Sequence, residues 1–366
     1  MSKSSPKLLI AGGGTGGHIL AGIAIADAWR AKWGKSTEVR FIGGRGGLEE
    51  TLVPRAGYSL DVIKIGSLNR VSLTRRLKTF VELPFAFFKS AYLLFKLRPS
   101  WVIGVGGYSS GPVVLVAKIL SFLGVIPTRI GILEQNSVPG MTNRILGKFA
   151  EILFAAFPGI ETQFPDKKVL VTGNPIRSSF HPMHSAERNP FVIFLFGGSK
   201  GALGVNTLMI EALPYLEDLK DRLRIIHQTG IADYDRVCEG YRKNGISARI
   251  EKFIYDMPTV YQEASLLICR AGASTLAEVA AVGRAAVLVP LPTAADNHQE
   301  KNARVYAEKG AALILRQQDS KGEDLAKVIR ELLENPARIA EMEQKVTQFF
   351  KPRAAEDLVE GLTQNV

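Results

Sequence analysis

Twice in this chain a short apolar strand runs straight into a glycine-rich loop and then into a helix, and few folds accommodate that order twice. The first instance is residues 7–11, then Gly12-Gly13-Gly14-Thr15-Gly16-Gly17, then a helix expected over about 19–32. The second is Phe191–Phe196, then Gly197-Gly198-Ser199-Lys200-Gly201-Ala202, then a helix from about Leu203. A strand that is apolar without alternation is covered on both faces, which calls for a parallel sheet with helices on either side. Two such openings predict an α/β chain of two similar doubly wound parallel-sheet domains, in keeping with a length of 366 residues.

Further β-branched segments bounded by Gly, Pro or Asn extend the pattern. The first half adds expected strands at 39–42, 101–105, 129–133, 152–154 and 169–171, and the second at 223–227, 249–253, 266–269, 286–289 and 312–315. Residues 323–362 read as helical by period. The prolines at 175 and 182 mark a boundary, giving domains of 1–173 and 178–351, with the closing helix within 352–366 assigned to the first. Ligands of open α/β sheets bind beyond the carboxyl ends of the strands. The expected active site is therefore the cleft between two such domains.

Charge is uneven. Residues 1–173 hold 22 Lys and Arg against 10 Asp and Glu, whereas 174–366 hold 24 against 25. All the excess basicity lies in the first half, which points to a polyanionic partner there. Residues 1–7 carry no signal-peptide pattern, and the longest uncharged run, 99–117, is broken by Gly104, Gly106, Gly107, Gly111 and Pro112. That run reads as strand, turn and helix start, so no transmembrane segment is expected. The two cysteines, Cys238 and Cys269, fit no metal or redox spacing and read as buried thiols in a reducing compartment.

The first glycine loop satisfies the dinucleotide spacing, with amides and a helix N-terminus able to meet a phosphate. A nicotinamide site also expects an acidic residue closing the second strand, where this chain has Gly43-Gly44-Arg45. NAD is disfavoured, and NADP would have to rely on Arg45. Three more loops, Gly106-Gly107-Tyr108-Ser109-Ser110-Gly111-Pro112, Gly197 to Ala202 and Arg270-Ala271-Gly272-Ala273-Ser274-Thr275, also follow strands and precede helices. Four such loops in two domains argue for at least two anionic ligand groups.

These loops belong to a longer series: Gly-Gly-Thr-Gly-Gly-His at 13–18, Gly-Gly-Tyr-Ser-Ser-Gly-Pro at 106–112, Glu-Gln-Asn at 134–136, Gly-Asn-Pro-Ile-Arg at 173–177, Gly-Gly-Ser-Lys-Gly-Ala at 197–202, His-Gln-Thr-Gly at 227–230, Ala-Gly-Ala-Ser-Thr-Leu-Ala-Glu at 271–278 and Asp-Asn-His-Gln at 296–299. In order and over nearly the whole chain, they resemble the MurG family of UDP-N-acetylglucosamine transferases. One departure is Ile19-Leu20-Ala21-Gly22, where the family usually continues with a proline. The resemblance implies a GT-B architecture of two Rossmann-like domains. It also implies inverting transfer of GlcNAc from UDP-GlcNAc to the MurNAc 4-hydroxyl of lipid I, giving lipid II at the cytoplasmic face of the plasma membrane. No cofactor is implied.

His18 is suited to take the acceptor hydroxyl's proton, or equally to bind a phosphate. Glu278 matches a residue that accepts the ribose hydroxyls, although a capping box with Thr275 would explain the same spacing from the first turn of a helix. Ser199 and Arg177 are expected on phosphate, Ile254 on uracil through its backbone, and Asn136 and Gln299 on sugar hydroxyls, all by the resemblance. Thr15, Gly16, Gly17, Ala273, Ser274, Thr275, Leu276 and Ala277 complete the expected substrate-binding set, and Gly13, Gly14, Gly106, Gly107, Tyr108 and Ser109 the acceptor set. His298 beside Gln299 reads as a surface histidine at a helix start. With no D-x-D at a strand end and no His/Cys cluster, no metal is expected.

Residues 73–98 mix Arg75, Arg76, Lys78, Lys89, Lys96 and Arg98 with Phe80, Phe85, Phe87, Phe88, Tyr92 and Phe95, with Pro84 among them. A basic, aromatic amphipathic segment in the basic half predicts peripheral binding to anionic phospholipid. No nucleic-acid module is visible, so no nucleic-acid partner is expected. The rival readings are a UDP-GlcNAc 2-epimerase on the same fold and a non-catalytic nucleotide-sugar-binding module at a membrane surface.

Overall fold

The computed structural model describes residues 5–66, 73–182 and 189–364. The chain divides into two compact domains: Met1–Arg177 with Arg353–Val366, and Ser178–Pro352.

In the first domain β1 (Leu8–Gly12), α1 (Gly16–Trp33), β2 (Val39–Gly44), α2 (Glu49–Arg55), β3 (Ser59–Ile63), α3 (Leu73–Leu97), β4 (Trp101–Gly106), α4 (Ser110–Phe122), β5 (Arg129–Glu134), α5 (Met141–Leu146), β6 (Ile152–Ala155) and β7 (Lys168–Val171) follow in turn. The seven strands form one sheet in the order β3-β2-β1-β4-β5-β6-β7. Every pairing is parallel. The central strands β1 and β4 are buried along their whole length, as their unbroken apolar sequences require. β3 went unread in the sequence because Ser59-Leu60-Asp61-Val62-Ile63 is a half-exposed edge strand with a charge in its middle.

One face of the sheet packs on α1, centred on the fully buried Trp29, and the other on α3 and α4. α1 starts at Gly16, ahead of the expected Ile19, because Thr15 takes the N-cap and its Oγ1 accepts the His18 amide at 3.4 Å. The Ile19–Gly22 departure leaves that start intact. Pro84 lies inside α3 without ending it. The run 99–117 forms β4, a turn and the start of α4, and among the described residues no helix is long and apolar enough to cross a membrane.

The second domain runs through β8 (Phe191–Phe196), α6 (Leu203–Ala212), β9 (Leu223–Gln228), α7 (Tyr234–Lys243), β10 (Ala248–Glu251), α8 (Met257–Glu263), β11 (Leu266–Cys269), α9 (Ala273–Val282), β12 (Ala286–Leu288), α10 (His298–Ala307), β13 (Leu313–Ile314), α11 (Gly322–Glu334) and α12 (Pro336–Val346). Its six strands are ordered β10-β9-β8-β11-β12-β13, again all parallel. The helical stretch expected over 323–362 is three helices, broken where Pro336 and Pro352 remove amides. The last, α13 (Ala354–Thr363), belongs to the first domain. There it buries Leu358, Val359 and Leu362 in the same cluster as Trp29, each burial worth about 1.5–3 kcal/mol. Cys269 is fully buried and Cys238 only half-buried.

His227, on β9, is fully buried in the second domain. The Asn206 amide donates to the Thr229 carbonyl at 3.0 Å and to Asp233 at 2.7 Å, which turns its oxygen toward His227 Nε2 at 3.0 Å. Nε2 therefore carries the hydrogen, and Nδ1 accepts from the Tyr241 hydroxyl at 3.1 Å. Burial pushes the His227 pKa from 6.5 down to about 3. The native imidazole stays neutral where the unfolded chain takes a proton. Stability held above pH 6.5 is accordingly lost as pH falls toward 3, by roughly 1.4 kcal/mol per pH unit. His227→Gln is expected to be less stable than the wild type at pH 7, and denaturant unfolding should show that gap narrowing steadily down to pH 4.5. A constant gap would contradict the neutral assignment.

Candidate active site

In both domains the strand order reverses beside the first strand, between β1 and β4 and between β8 and β11. Loops diverge to opposite faces at such a point and leave a crevice at the strands' carboxyl ends. All four glycine loops lie at these two places.

In the first domain the loops after β1 and β4 touch through backbone. The Gly13 amide donates to the Gly106 carbonyl at 3.2 Å. A Cβ on Gly107, whose φ is +84°, would lie 2.3 Å from the Gly13 oxygen, so no larger residue fits there without moving both loops. His18, the third residue of α1, is half-buried, with Nδ1 3.1 Å from the Gly13 carbonyl. A carbonyl only accepts, so Nδ1 carries a hydrogen and donates it to Gly13. Nε2 lies 2.8 Å from where a Cβ on Gly106 would stand. Thr15 and Gly14 are exposed, Gly16 and Gly17 half-buried, and the Gly17 carbonyl takes Gln135 Nε2 at 3.4 Å. Tyr108 is exposed, while Ser109 is buried just ahead of α4. His18, Gly13, Gly106, Gly107 and the Glu134–Asn136 turn are thus gathered at one edge of this sheet.

Two buried carboxylates organise that edge. Glu134, at the end of β5, accepts from the Asn136 amide and side chain at 2.8 and 3.2 Å, the Gly140 amide at 3.1 Å and Asn143 Nδ2 at 2.8 Å. Burial raises its pKa and these four donors oppose the rise. They also fix Asn136, whose amide is turned to Glu134. Glu49, the first residue of α2 and 1% exposed, accepts the Gly44 amide at 2.8 Å and the Gly14 amide at 3.3 Å. The Gly14 amide, expected on the acceptor, is therefore already engaged by a carboxylate. Arg177 is half-buried at the end of the first domain's main segment.

In the second domain Gly201 and Gly230 lie back to back, each leaving no room for a Cβ beside the other's loop. Behind them Gln228 donates to the Gly198 carbonyl at 3.1 Å and accepts the Ile254 amide at 2.8 Å. Ser199 is exposed on the tip of the loop after β8, whereas Ile254 is buried with its amide held by Gln228. α9 begins at Ala273 with Gly272 as N-cap, so the amides of Ala273, Ser274 and Thr275 open its first turn. Ala277 is half-buried; Leu276 faces the core, its carbonyl taking the Tyr306 hydroxyl at 3.2 Å.

Glu278 sits in the second turn of α9, one turn later than expected, and no side chain caps this helix, so the capping-box alternative is excluded. It is buried and accepts the Tyr261 hydroxyl at 3.2 Å. Gln299 is bound to the Leu291 amide at 2.9 Å, and His298, half-buried at the start of α10, has Nδ1 2.7 Å from the Ala295 carbonyl. The turn before them holds Asp296 and Asn297 at φ of +50° and +54°, two adjacent left-handed residues without glycine. Such backbone persists where its surroundings over-determine it, most often at ligand sites. Among the described residues no three His, Cys, Asp or Glu side chains gather as a metal site.

Residues 8–154 match the N-terminal domain of glycosyltransferase family 28 and residues 192–358 its C-terminal domain. A Myxococcus xanthus UDP-N-acetylglucosamine–N-acetylmuramyl-(pentapeptide) pyrophosphoryl-undecaprenol N-acetylglucosamine transferase is 43% identical over 97% of this chain and 91% of its own. The chain belongs to the MurG family, within glycosyltransferase family 28. Acinetobacter baumannii MurG superposes with a TM-score of 0.78 at 31% identity, over 98% of this chain and 100% of that one. The two parallel sheets are accordingly the two Rossmann-like domains of a GT-B fold. A Neisseria meningitidis UDP-GlcNAc 2-epimerase also superposes, with a TM-score of 0.68 over 98% and 100% of the two chains, but at 14% identity it shares the fold alone.

Within this MurG-family site, Glu49 and Gln228 were missed in the sequence. Gln228 stood inside the His-Gln-Thr-Gly motif without a role. Glu49 stood outside every motif, its one signal being the glycines at 43, 44, 46 and 47 before it. The contact between the first two loops has a direct test. Gly107→Ala is expected to cost roughly 1–3 kcal/mol in thermal unfolding. Gly111→Ala, in α4 with open space around its Cβ, should be neutral or slightly stabilising. Equal effects would deny the contact.

Proposed function

We propose that this chain is the inverting transferase that moves GlcNAc from UDP-GlcNAc to the MurNAc 4-hydroxyl of lipid I, forming lipid II for peptidoglycan. The observation that carries this is 43% identity, over 97% of the chain, to a transferase of that name, with both family-28 domains present. The epimerase reading has only the shared fold behind it.

The second domain, in this reading, holds the donor. The α9 amides and the Ser199 loop face the diphosphate, Glu278 the ribose, and the Ile254 turn the uracil. Helix N-termini and hydroxyls stabilise the departing UDP without a metal. The first domain holds the acceptor at the Gly13 and Gly106 loops, with Arg177, Asn136 and Gln299 as further polar contacts to the substrates. His18 Nε2 takes the hydroxyl proton as that oxygen bonds the anomeric carbon, and the bond to phosphate breaks with its electron pair leaving on UDP. A histidine whose ring is held at Nδ1 by the Gly13 carbonyl, with Nε2 beside the Gly106 loop, supports a base over a phosphate ligand.

The acceptor is lipid-linked, and α3 supports binding at a membrane surface. Val81, Phe85, Phe88, Tyr92 and Phe95 recur at helical spacing and are all exposed, Phe85 and Phe88 at 72% and 76%. Lys89 and Lys96 are exposed on the same helix. α4, packed beside α3, ends in an apolar tip of its own with Phe122 85% exposed. Sequence reading found the first element and not the second. The side chains of Arg75, Arg76, Lys78 and Phe80 lie outside the described residues. An exposed apolar stripe flanked by lysines suits the interface of an anionic bilayer.

UDP release from UDP-GlcNAc is expected only when a lipid I analogue is present, with a β-linked disaccharide as product. UDP-ManNAc formed without acceptor would overturn the transferase reading. His18→Ala should lower kcat by about 10²–10⁴ with the donor KM little changed, whereas Glu278→Ala should mainly raise the donor KM. For the membrane, Phe85→Glu with Phe88→Glu should cut co-sedimentation with anionic vesicles at least about tenfold and spare turnover of a water-soluble acceptor. Unchanged sedimentation would remove α3 from the docking surface.

A further inference from the structure

Glu49 has no part in the scheme above, yet its carboxylate is fully enclosed and its seat is made of glycine. A Cβ on Gly13, Gly43 or Gly47 would lie 2.1, 2.6 or 2.1 Å from the Glu49 side chain. Both oxygens lie 3.3 Å from the Gly14 amide nitrogen. The Gly13 carbonyl that receives the hydrogen of His18 Nδ1 at 3.1 Å belongs to the same peptide group as that amide. Carboxylate, peptide and imidazole thus form one line: Glu49 carboxylate, Gly14 N–H, Gly13 C=O, His18 Nδ1–H.

We propose that Glu49 is a positioning residue for His18, acting through the single peptide group between Gly13 and Gly14; this rests on the reading of His18 as the base. The two ends of a peptide group are coupled by resonance. An N–H that donates to a carboxylate sends electron density to its own carbonyl oxygen, and chained hydrogen bonds strengthen one another by about 10–30% per bond. His18 Nδ1–H therefore meets an acceptor more basic than an ordinary carbonyl. That fixes the tautomer with Nε2 bare and stabilises the imidazolium formed when Nε2 takes the hydroxyl proton. The Nδ1 proton stays on His18 throughout. The Thr15 hydroxyl and Gly106 also lie against His18, and Gln135 sits beside Gly17.

The arrangement also explains a carboxylate inside a loop whose glycines suggest an anion site. With Glu49 on Gly14, the ligand-facing amides are left to Thr15, Gly16 and Gly17, and the loop's first peptide serves the histidine.

The test is nitrogen NMR of the full chain with ¹⁵N-labelled histidine and glycine, the His18 signals assigned from His18→Ala. In the wild type, His18 should show a protonated Nδ1 and a bare Nε2, and the Gly14 amide proton should shift with the same midpoint as the His18 ring. In Glu49→Gln, the His18 midpoint should fall by about 0.5–1 pH unit. kcat on the lipid I analogue should fall about tenfold, the donor KM staying within about twofold. A folded Glu49→Gln protein with unaltered His18 signals and midpoint overturns the proposal. Should that variant not fold, the wild-type measurement decides alone: a Gly14 amide indifferent to His18 titration overturns the relay. Coupled signals in a protein that transfers no GlcNAc would sink the proposed function and leave the relay standing; active transfer with uncoupled signals would do the reverse.

Discussion

The carboxyl edge of the first sheet depends on one backbone contact, the Gly13 amide on the Gly106 carbonyl, made possible because neither loop carries a side chain where they meet. β1 and β4 are neighbours, and the chain leaves them toward opposite faces of the sheet. Their loops would ordinarily diverge; here they are clamped, and the clamp fixes where α1 begins and where His18 points. The second domain repeats the device in a different form, Gly201 against Gly230, with Gln228 as a polar strut behind. Close backbone approach at the strand ends, not side-chain packing, sets the positions of the candidate ligand groups.

Elements with one dominant physical signal were legible in the sequence. The buried central strands read correctly because unbroken apolar runs have no other home, and the glycine loops read correctly because so many adjacent glycines are costly without a reason. β3 failed because its residues answer to an edge position and not to a core. The terminal helices were merged because helical period persists through Pro336, where a proline opening a new helix is tolerated.

Site residues divided along a similar line. Those in motifs could be named, but what each atom does depends on partners far along the chain. Glu278 had the spacing of a cap and turned out to face Tyr261, 17 positions away. Glu49 lies 35 positions from the amide it binds, and no local pattern announces such a pair. Hydrogen-bond partnership across loops is decided by tertiary approach, which residue order does not encode locally.

The return of α13 to the first domain means that Ser178–Pro352 is, in effect, an insertion within another domain's chain. During synthesis the inserted domain has all its strands before Leu358, Val359 and Leu362 emerge. Until then the groove beside α1, lined by residues of the Trp29 cluster, stands open to water. The domain begun first is therefore the one completed last. A nascent-chain factor that shields apolar surface has a target there until the last helix is made.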